Sequence, residues 1–365
     1  IDESEIDTVS QKAVDLFKQG HIDEAIAMFK KNEPIAKMAS IRGKAENMRQ
    51  QVDSAESLAQ RDIDESMKQA KAYVEVLKYK GEWEEAGRVL KELADALGTF
   101  EAIWDYAEFA RQQNQYAEAE TYYKLCKDKI APLVKTNPEL YEPQLAEVSI
   151  NLGKIYYCTK RFNESEQMYK TAIAIYERLY EGAPQQYQSR LADGYYWYGM
   201  SMINSNKYHD AIDPFERSLK LCKDMMNDET GKSLYALNLS CLDVLYSKDK
   251  DYATAYSYNK ELLPLLKANY EGNAATWKSE YCGKLISQSF YANVLGKFEE
   301  GELHSLEALK VDSTQHLAYT NLAAAYLLQG KYEAAEKLYR QYKNEFKEGL
   351  LTDLDELAAT AGPDI

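Results

Sequence analysis

One short phrase of polar, large apolar and small positions recurs along the chain: a Gly, Asn or Lys, one residue, a large apolar side chain, two residues, then a small one. It stands at Gly20–Ala25, Gly81–Ala86, Asn114–Ala119, Lys160–Ser165, Asn206–Ala211, Lys250–Ala255, Gly296–Gly301 and Gly330–Ala335. Between the large apolar residues of successive copies the steps are 61, 33, 46, 46, 44, 46 and 34 residues. Upstream of each copy runs a helical stripe, such as Leu145, Ile150, Leu152 and Tyr156. Downstream runs another, such as Met168, Tyr169, Ala172, Ile173 and Tyr176. Gly or Asn accepts the left-handed backbone that closes one helix, and the acids that follow favour the N-terminus of the next. The small residue lets the paired helices approach closely. The pattern therefore predicts an all-α chain of about eight helical hairpins.

The departures from the period mark the ends. After Pro34, which can begin a helix but not continue one, some 45 residues carry one Gly and no Pro, with an apolar stripe from Met48 through Ile63 and Val74 to Leu77. This predicts one long helix, or two nearly continuous ones, lying along the array on a narrow seam; a homodimer through a coiled coil of the same segment is the alternative. Leu350, Leu351, Leu354 and Leu357, interleaved with Asp353, Asp355 and Glu356, predict a short amphipathic helix that caps the last apolar face. The expected organisation is a weak N-terminal hairpin at 1–33, a long helix at 34–80 and a hairpin array at 66–349. Its turns lie near 81, 114, 160, 206, 250, 296 and 330, and a capping helix and tail follow at 350–365.

Composition removes several function classes. Against 44 Lys and Arg stand 59 Asp and Glu, a net charge of −15, which is the wrong sign for gripping a phosphate backbone, so no nucleic-acid partner is expected. No apolar run approaches the roughly 18 residues of a membrane span, so no membrane insertion is expected. The start at Ile1 leads us to expect that an upstream segment has been cut away, with any targeting signal it held, so the compartment is left open. Cys126, Cys158, Cys222, Cys241 and Cys282 form no CxxC pair and read as small apolar fillers between helices.

Catalytic chemistry is missing from the sequence. His21, His209, His304 and His316 have no second His at helical spacing, HExxH is absent, and no metal or other cofactor is expected. Gly231-Lys232-Ser233 imitates the end of a phosphate-binding loop, but its earlier Gly position holds Met226 and no strand precedes it. Glu84-Glu85, Asp23-Glu24 and Glu299-Glu300 sit where a helix dipole accounts for them. Asn163-Glu-Ser165 and Asn238-Leu-Ser240 match the glycosylation pattern by chance, one at a turn and one inside a helix. The chain is expected not to be an enzyme.

In the last hairpin, Tyr319, Leu322, Ala323, Tyr326, Gly330, Tyr332, Ala335 and Tyr339 fall at the spacings of the 34-residue tetratricopeptide repeat; in the fourth, Leu152, Gly153, Tyr156, Phe162 and Tyr169 do so. The chain resembles that superfamily. Its 46-residue units align without a gap from Asn137-Pro138 and Leu152-Gly153 onto Ala183-Pro184 and Tyr198-Gly199, and they resemble the long-helix subclass seen in kinesin light chains and bacterial proteins. Asp243 and Ser289 depart from the small-residue position of the first helix, and Asn259 and Ser305 from the aromatic position of the second.

The resemblance implies a right-handed superhelical solenoid in which first helices line a concave groove. It projects into that groove Trp104, Asp105, Glu108 and Arg111 of the third unit, Glu147, Ile150, Asn151, Lys154, Tyr157 and Cys158 of the fourth, and Asp193, Tyr196, Trp197, Met200, Ile203 and Asn204 of the fifth. Phe290 and Asn293 follow from the seventh and Asn321 from the eighth. The clamp that some members close on a partner's C-terminal carboxylate would need Lys or Arg where Asp193 and Trp197 stand. The implied function is a scaffold that binds a protein or peptide segment. The alternative is the sensory or regulatory region of a larger bacterial signalling or enzyme polypeptide.

Overall fold

Eight corners of identical hydrogen bonding connect the helices. In the computed structural model, which describes residues 8–31 and 53–342, Gly20, Gly81, Asn114, Lys160, Asn206, Lys250, Gly296 and Gly330 all have φ between 58° and 84°. At each, the left-handed residue donates its N–H to the carbonyl three residues back, and the next residue donates to the carbonyl five back. Lys160 N to Tyr157 O (3.0 Å) with Arg161 N to Tyr156 O (2.7 Å) is one pair, and Gly330 N to Leu327 O (3.0 Å) with Lys331 N to Tyr326 O (2.8 Å) another. These bonds satisfy the carbonyls orphaned at the end of a helix. The recurring phrase follows directly. Its first residue is the left-handed stop, its second accepts the opening bond of the next helix, and the small residue donates that bond, as in Ala25 N to His21 O and Ala335 N to Lys331 O.

Sixteen α-helices result among the described residues: α1 (Thr8–Lys18), α2 (Ile22–Lys31), α3 (Asp53–Lys80), α4 (Trp83–Leu97), α5 (Phe100–Gln112), α6 (Tyr116–Thr136), α7 (Pro138–Cys158), α8 (Phe162–Gly182), α9 (Pro184–Asn204), α10 (Ile212–Cys222), α11 (Glu229–Lys248), α12 (Tyr252–Gly272), α13 (Ala274–Val294), α14 (Phe298–Val311), α15 (His316–Leu328) and α16 (Tyr332–Tyr342). No strand occurs among these residues. The part of the long helix before Asp53 and the capping helix with Leu350, Leu351, Leu354 and Leu357 lie outside the described residues.

The chain divides into two compact units, Ile1–Tyr176 and Glu177–Ile365. In the first, each helix from α3 to α6 packs on its successor, and α3 also packs on α1 and α2. Its core runs from Ala13 through Leu77, Leu93 and Tyr123 to Ile155. The C-terminal half of α3 buries Ala70, Tyr73, Val74 and Leu77 in that core, so this stretch is an integral layer of the unit. In the second unit each helix from α9 to α16 again packs on the next, and the first helices also touch one another, α9 on α11 and α13 on α15.

Small residues set the closeness of each hairpin. A β-carbon on Gly153 would lie 2.8 Å from the Tyr169 ring, and one on Gly199 would lie 2.8 Å from Phe215. Ala211 is fully buried, although the second helix of its hairpin begins at Ile212 rather than at Tyr208, where the phrase places it. Ala211→Trp should lower stability by about 1–3 kcal/mol, because a well-packed interface has no room for the indole. A thermal melt superimposable on that of the parent would show that Ala211 is not a contact position.

Where the sixth and seventh hairpins depart from the repeat pattern, a buried polar seam replaces apolar packing. Lys284 Nζ lies 2.6 Å from Asp243 Oδ2, with Asp243 only 1% exposed. Asn259 Nδ2 donates to Lys284 O at 2.8 Å, and Ser289 Oγ donates to Gly301 O at 2.8 Å while lying 2.6 Å from Ser305 Oγ. The four departing residues thus bond to neighbouring helices.

Candidate functional site

The first helices carry the side chains that the hairpin pattern turns away from their second-helix partners. In the first unit these come from α3, α5 and α7. Between α3 and α5 lies a pocket of about 310 Å³, with Val74, Leu90, Trp104 and Phe109 as its apolar wall and Lys71, Glu75, Lys78, Asp105 and Glu108 as its charged rim. Trp104 is half-buried, its ring edge-to-face with Tyr123 at 5.2 Å. The rim charges are engaged in pairs: Lys71 with Asp105 at 2.7 Å, Lys78 with Glu75 at 2.8 Å, and Arg111 with Glu108 at 2.5 Å. Lys71, Glu75 and Lys78 are not among the groove residues the sequence projects, because the polar long helix that carries them has no repeat motif of its own to mark a groove face.

Glu108 also accepts from Tyr123 Oη at 2.6 Å and from Gln112 Nε2 at 2.9 Å. Burial raises the pKa of its carboxyl, but the hydrogen bonds from Arg111 and Tyr123 outweigh that and hold it below the ordinary 4.5. A depressed carboxyl stabilises the fold above its unfolded pKa, and that contribution is lost as pH falls through the folded value. Melting temperature should therefore drop on acidification below the ordinary carboxyl pKa, and the drop should be shallower for Glu108→Gln. Identical pH profiles for variant and parent would show that the Glu108 network contributes nothing.

On α7, Asn151 is buried and donates to Glu147 O at 3.2 Å within its own helix. Lys154 and Tyr157 are half-buried, Tyr157 edge-to-face with Phe162 at 5.7 Å. Cys158 is exposed, which corrects its reading as an interhelical filler; Cys126, Cys222 and Cys282 are buried and Cys241 is half-buried.

In the second unit, Trp197 is half-buried and its Nε1 donates to Asp193 Oδ1 at 3.0 Å, one turn earlier on α9. Tyr196 is buried, edge-to-face with Trp197 at 5.5 Å and with Phe215 at 5.8 Å. It is therefore part of the α9–α10 packing rather than the open surface the projection gave it. Asn293 is likewise buried, donating to Asn321 O at 2.9 Å, while Asn321 donates to Ile286 O at 2.9 Å. Both asparagines tie α13 to α15. Met200 and Phe290 are half-buried, Met200 Sδ lying 4.0 Å from Cys241 Sγ and Phe290 edge-to-face with Tyr252 at 5.4 Å. Asn204 is exposed and donates to Met200 O at 2.9 Å.

Leu237 and Val244 on α11, 44% and 57% exposed, and Leu317 on α15, 56% exposed, were missed. They occupy the groove positions of the sixth and eighth units, which the projection left unread or incomplete. Gly231 of the false phosphate loop lies in the first turn of α11, where Asp228 accepts from its N–H at 3.0 Å. Its missing β-carbon would meet Met225 O at 2.3 Å, so the glycine serves a tight approach. Among the described residues no three His, Cys, Asp or Glu side chains cluster to hold a metal, and no helix is long and apolar enough to cross a membrane.

The family model described as tetratricopeptide repeat matches residues 145–184 and 317–341, the fourth and the last hairpins. Tetratricopeptide repeats therefore stand at these two hairpins. No curated protein matches it. Solved structures similar to this chain include the apo form of RapI, 14% identical over 96% of this chain and 94% of that one, with a TM-score of 0.52. A signal transduction ATPase with numerous domains and a tetratricopeptide repeat sensor, from Pyrococcus horikoshii, is 15% identical over 96% of this chain and 55% of that one, with a TM-score of 0.53. The C-terminal part of a repeat-containing protein from Cytophaga hutchinsonii is 14% identical over 86% of this chain and 99% of that one, with a TM-score of 0.48. The first two likenesses are of fold.

Proposed function

We propose that this chain is a non-catalytic scaffold that holds a segment of a partner protein against the outward faces of its first helices. The observation that carries this reading is the incompletely buried apolar and aromatic side chains on the first helices of each unit: Trp104 on α5 and Tyr157 on α7 in the first, and Trp197 on α9, Val244 on α11, Phe290 on α13 and Leu317 on α15 in the second. Buried centres of protein interfaces are enriched in such groups, and large aromatics supply most of the binding energy there. Trp197 is the anchor to test, because its bond to Asp193 fixes the indole while part of the ring stays uncovered.

Trp197→Ala should cost about 2 kcal/mol or more of partner binding, some thirtyfold in affinity, with the helical circular dichroism retained. The measurement pairs a melting temperature with the yield of partner captured from native extract on the same variant. A loss of about 3–5 kcal/mol of folding stability would make Trp197 a core residue. A stable variant with undiminished capture would exclude it as an anchor.

A further inference from the structure

The two units differ in the chemistry of their first-helix faces. On α3 and α5 the outward positions carry Lys71, Glu75, Lys78, Asp105, Glu108 and Arg111. On α9, α11, α13 and α15 the corresponding positions, read through the repeat register, carry two ionisable acids or bases, Asp193 and Lys248. Both are already engaged: Asp193 accepts from Trp197, and Lys248 Nζ lies 3.2 Å from the centroid of the Tyr208 ring. The remaining positions are uncharged, with Leu237, Val244, Ile286, Phe290 and Leu317 standing among Ser, Thr and Asn. Leu237, Cys241 and Val244 follow one another at i, i+4 and i+7, so they share one face of α11.

The four helices that carry this strip of positions adjoin one another side by side. The Met200 and Cys241 sulfurs join α9 to α11 at 4.0 Å, Lys284 Nζ reaches Ser240 O at 3.5 Å to join α11 to α13, and Asn321 Nδ2 joins α15 to Ile286 O on α13 at 2.9 Å. Half-exposed apolar side chains at one register on neighbouring helices mark an interaction site, since scattered single apolar residues would not line up in this way. Its charge pattern selects the occupant. A charged side chain laid on this strip would lose water and find no uncommitted counter-charge, whereas an aliphatic or aromatic side chain would gain burial.

Resting on the scaffold reading above, we propose that the first-helix face of the second unit takes an uncharged, apolar-anchored segment of a partner protein, seated on Leu237, Val244 and Leu317. The soft Met200 and Cys241 side chains at the α9–α11 junction let the strip adapt to anchors of different shape. Charged residues of the partner fall outside it.

The probe is a phage-displayed library of random dodecapeptides selected on the full chain, with enriched peptides then fluorescein-labelled for anisotropy titration. The expected result is enrichment of peptides with apolar anchors and no charge between them, whose affinity falls about tenfold or more in Val244→Glu and in Leu317→Glu and is unchanged in Leu303→Glu, an exposed position on the second helix α14. Two variants on different helices, each replacing a half-exposed side chain, guard against a local folding fault in either. Undiminished binding of uncharged peptides by both variants overturns the proposal. Enrichment of charged peptides whose binding depends on Glu108 overturns it too, but leaves the scaffold reading standing; a library that yields no binder overturns both. A parent chain that sediments as a dimer, with Val244→Glu a monomer, assigns the strip to a second copy and also overturns the proposal.

Discussion

Replacing Gly199 by Val should lower the melting temperature by several degrees, whereas Gly283→Ala should raise it. Both glycines sit inside helices, α9 and α13, where Gly is disfavoured relative to Ala by about 1 kcal/mol. On propensity alone both substitutions would stabilise. They differ in what a β-carbon meets. At Gly199 it would stand 2.8 Å from two carbons of the Phe215 ring, and that ring is fully buried and held edge-to-face by Tyr196 at 5.8 Å. The ring cannot retreat without disturbing the α9–α10 pair, so overpacking of about 1–3 kcal/mol governs the outcome, and the β-branched side chain forfeits most of the propensity gain. At Gly283 nothing lies within 4 Å, and the gain is realised. For a cooperative unit the size of the second one, about 190 residues, 1 kcal/mol moves the melting temperature by about 2–4 °C. Gly153, facing Tyr169 at 2.8 Å, should repeat the Gly199 result in the first unit. A Gly199→Val protein that melts with or above the parent would show that the glycine is not there for the close approach.

This contrast also shows what was legible in the sequence. The corners were, because a left-handed backbone restricts its residue to Gly, Asn and a few tolerated exceptions, and the next helix must restart at a fixed distance. Lys160 and Lys250 are such exceptions: at φ of 61° each pays the left-handed cost, and the surrounding phrase identifies them where the residue type does not. The burial of Tyr196 was not legible. Tyr195, Tyr196, Trp197 and Tyr198 are consecutive, and sequence alone says that a helix spreads them around its circumference, not which of them meets the neighbouring hairpin. In the structure Tyr195 and Tyr196 are buried, while Trp197 and Tyr198 are half-exposed. Leu237 and Val244 were hidden for a different reason. Asp243 stands where a small residue should, and that departure leaves the repeat motif too weak on α11 to assign its outward face.

Lys284→Met should be among the most destabilising single substitutions in the second unit, and adding Asp243→Ala should restore most of the loss. Lys284 Nζ lies 2.6 Å from Asp243 Oδ2, and their side chains are only 12% and 1% exposed. Forming such a pair strips water from both ions, so its net contribution relative to apolar packing is near zero or negative; breaking it leaves one ion buried without its counter-charge, at about 3–5 kcal/mol. The single and double variants therefore separate two explanations of the seam. If the pair supplies stability, the double variant remains as weak as Lys284→Met. If its role is to fix which helices meet, the double variant recovers stability but loses register between α11 and α13, since it also removes the Lys284 Nζ bond to Ser240 O and leaves only the Asn259 bond to the Lys284 backbone carbonyl. The geometry favours the second outcome: four bonding residues from three helices, Ser240, Asp243, Asn259 and Lys284, meet where the repeat pattern would place interchangeable apolar contacts. Chemical denaturation gives the stabilities, and amide hydrogen exchange along α11 and α13 reports the register. Recovery of stability together with unchanged protection in the double variant would leave the pair without a specifying role.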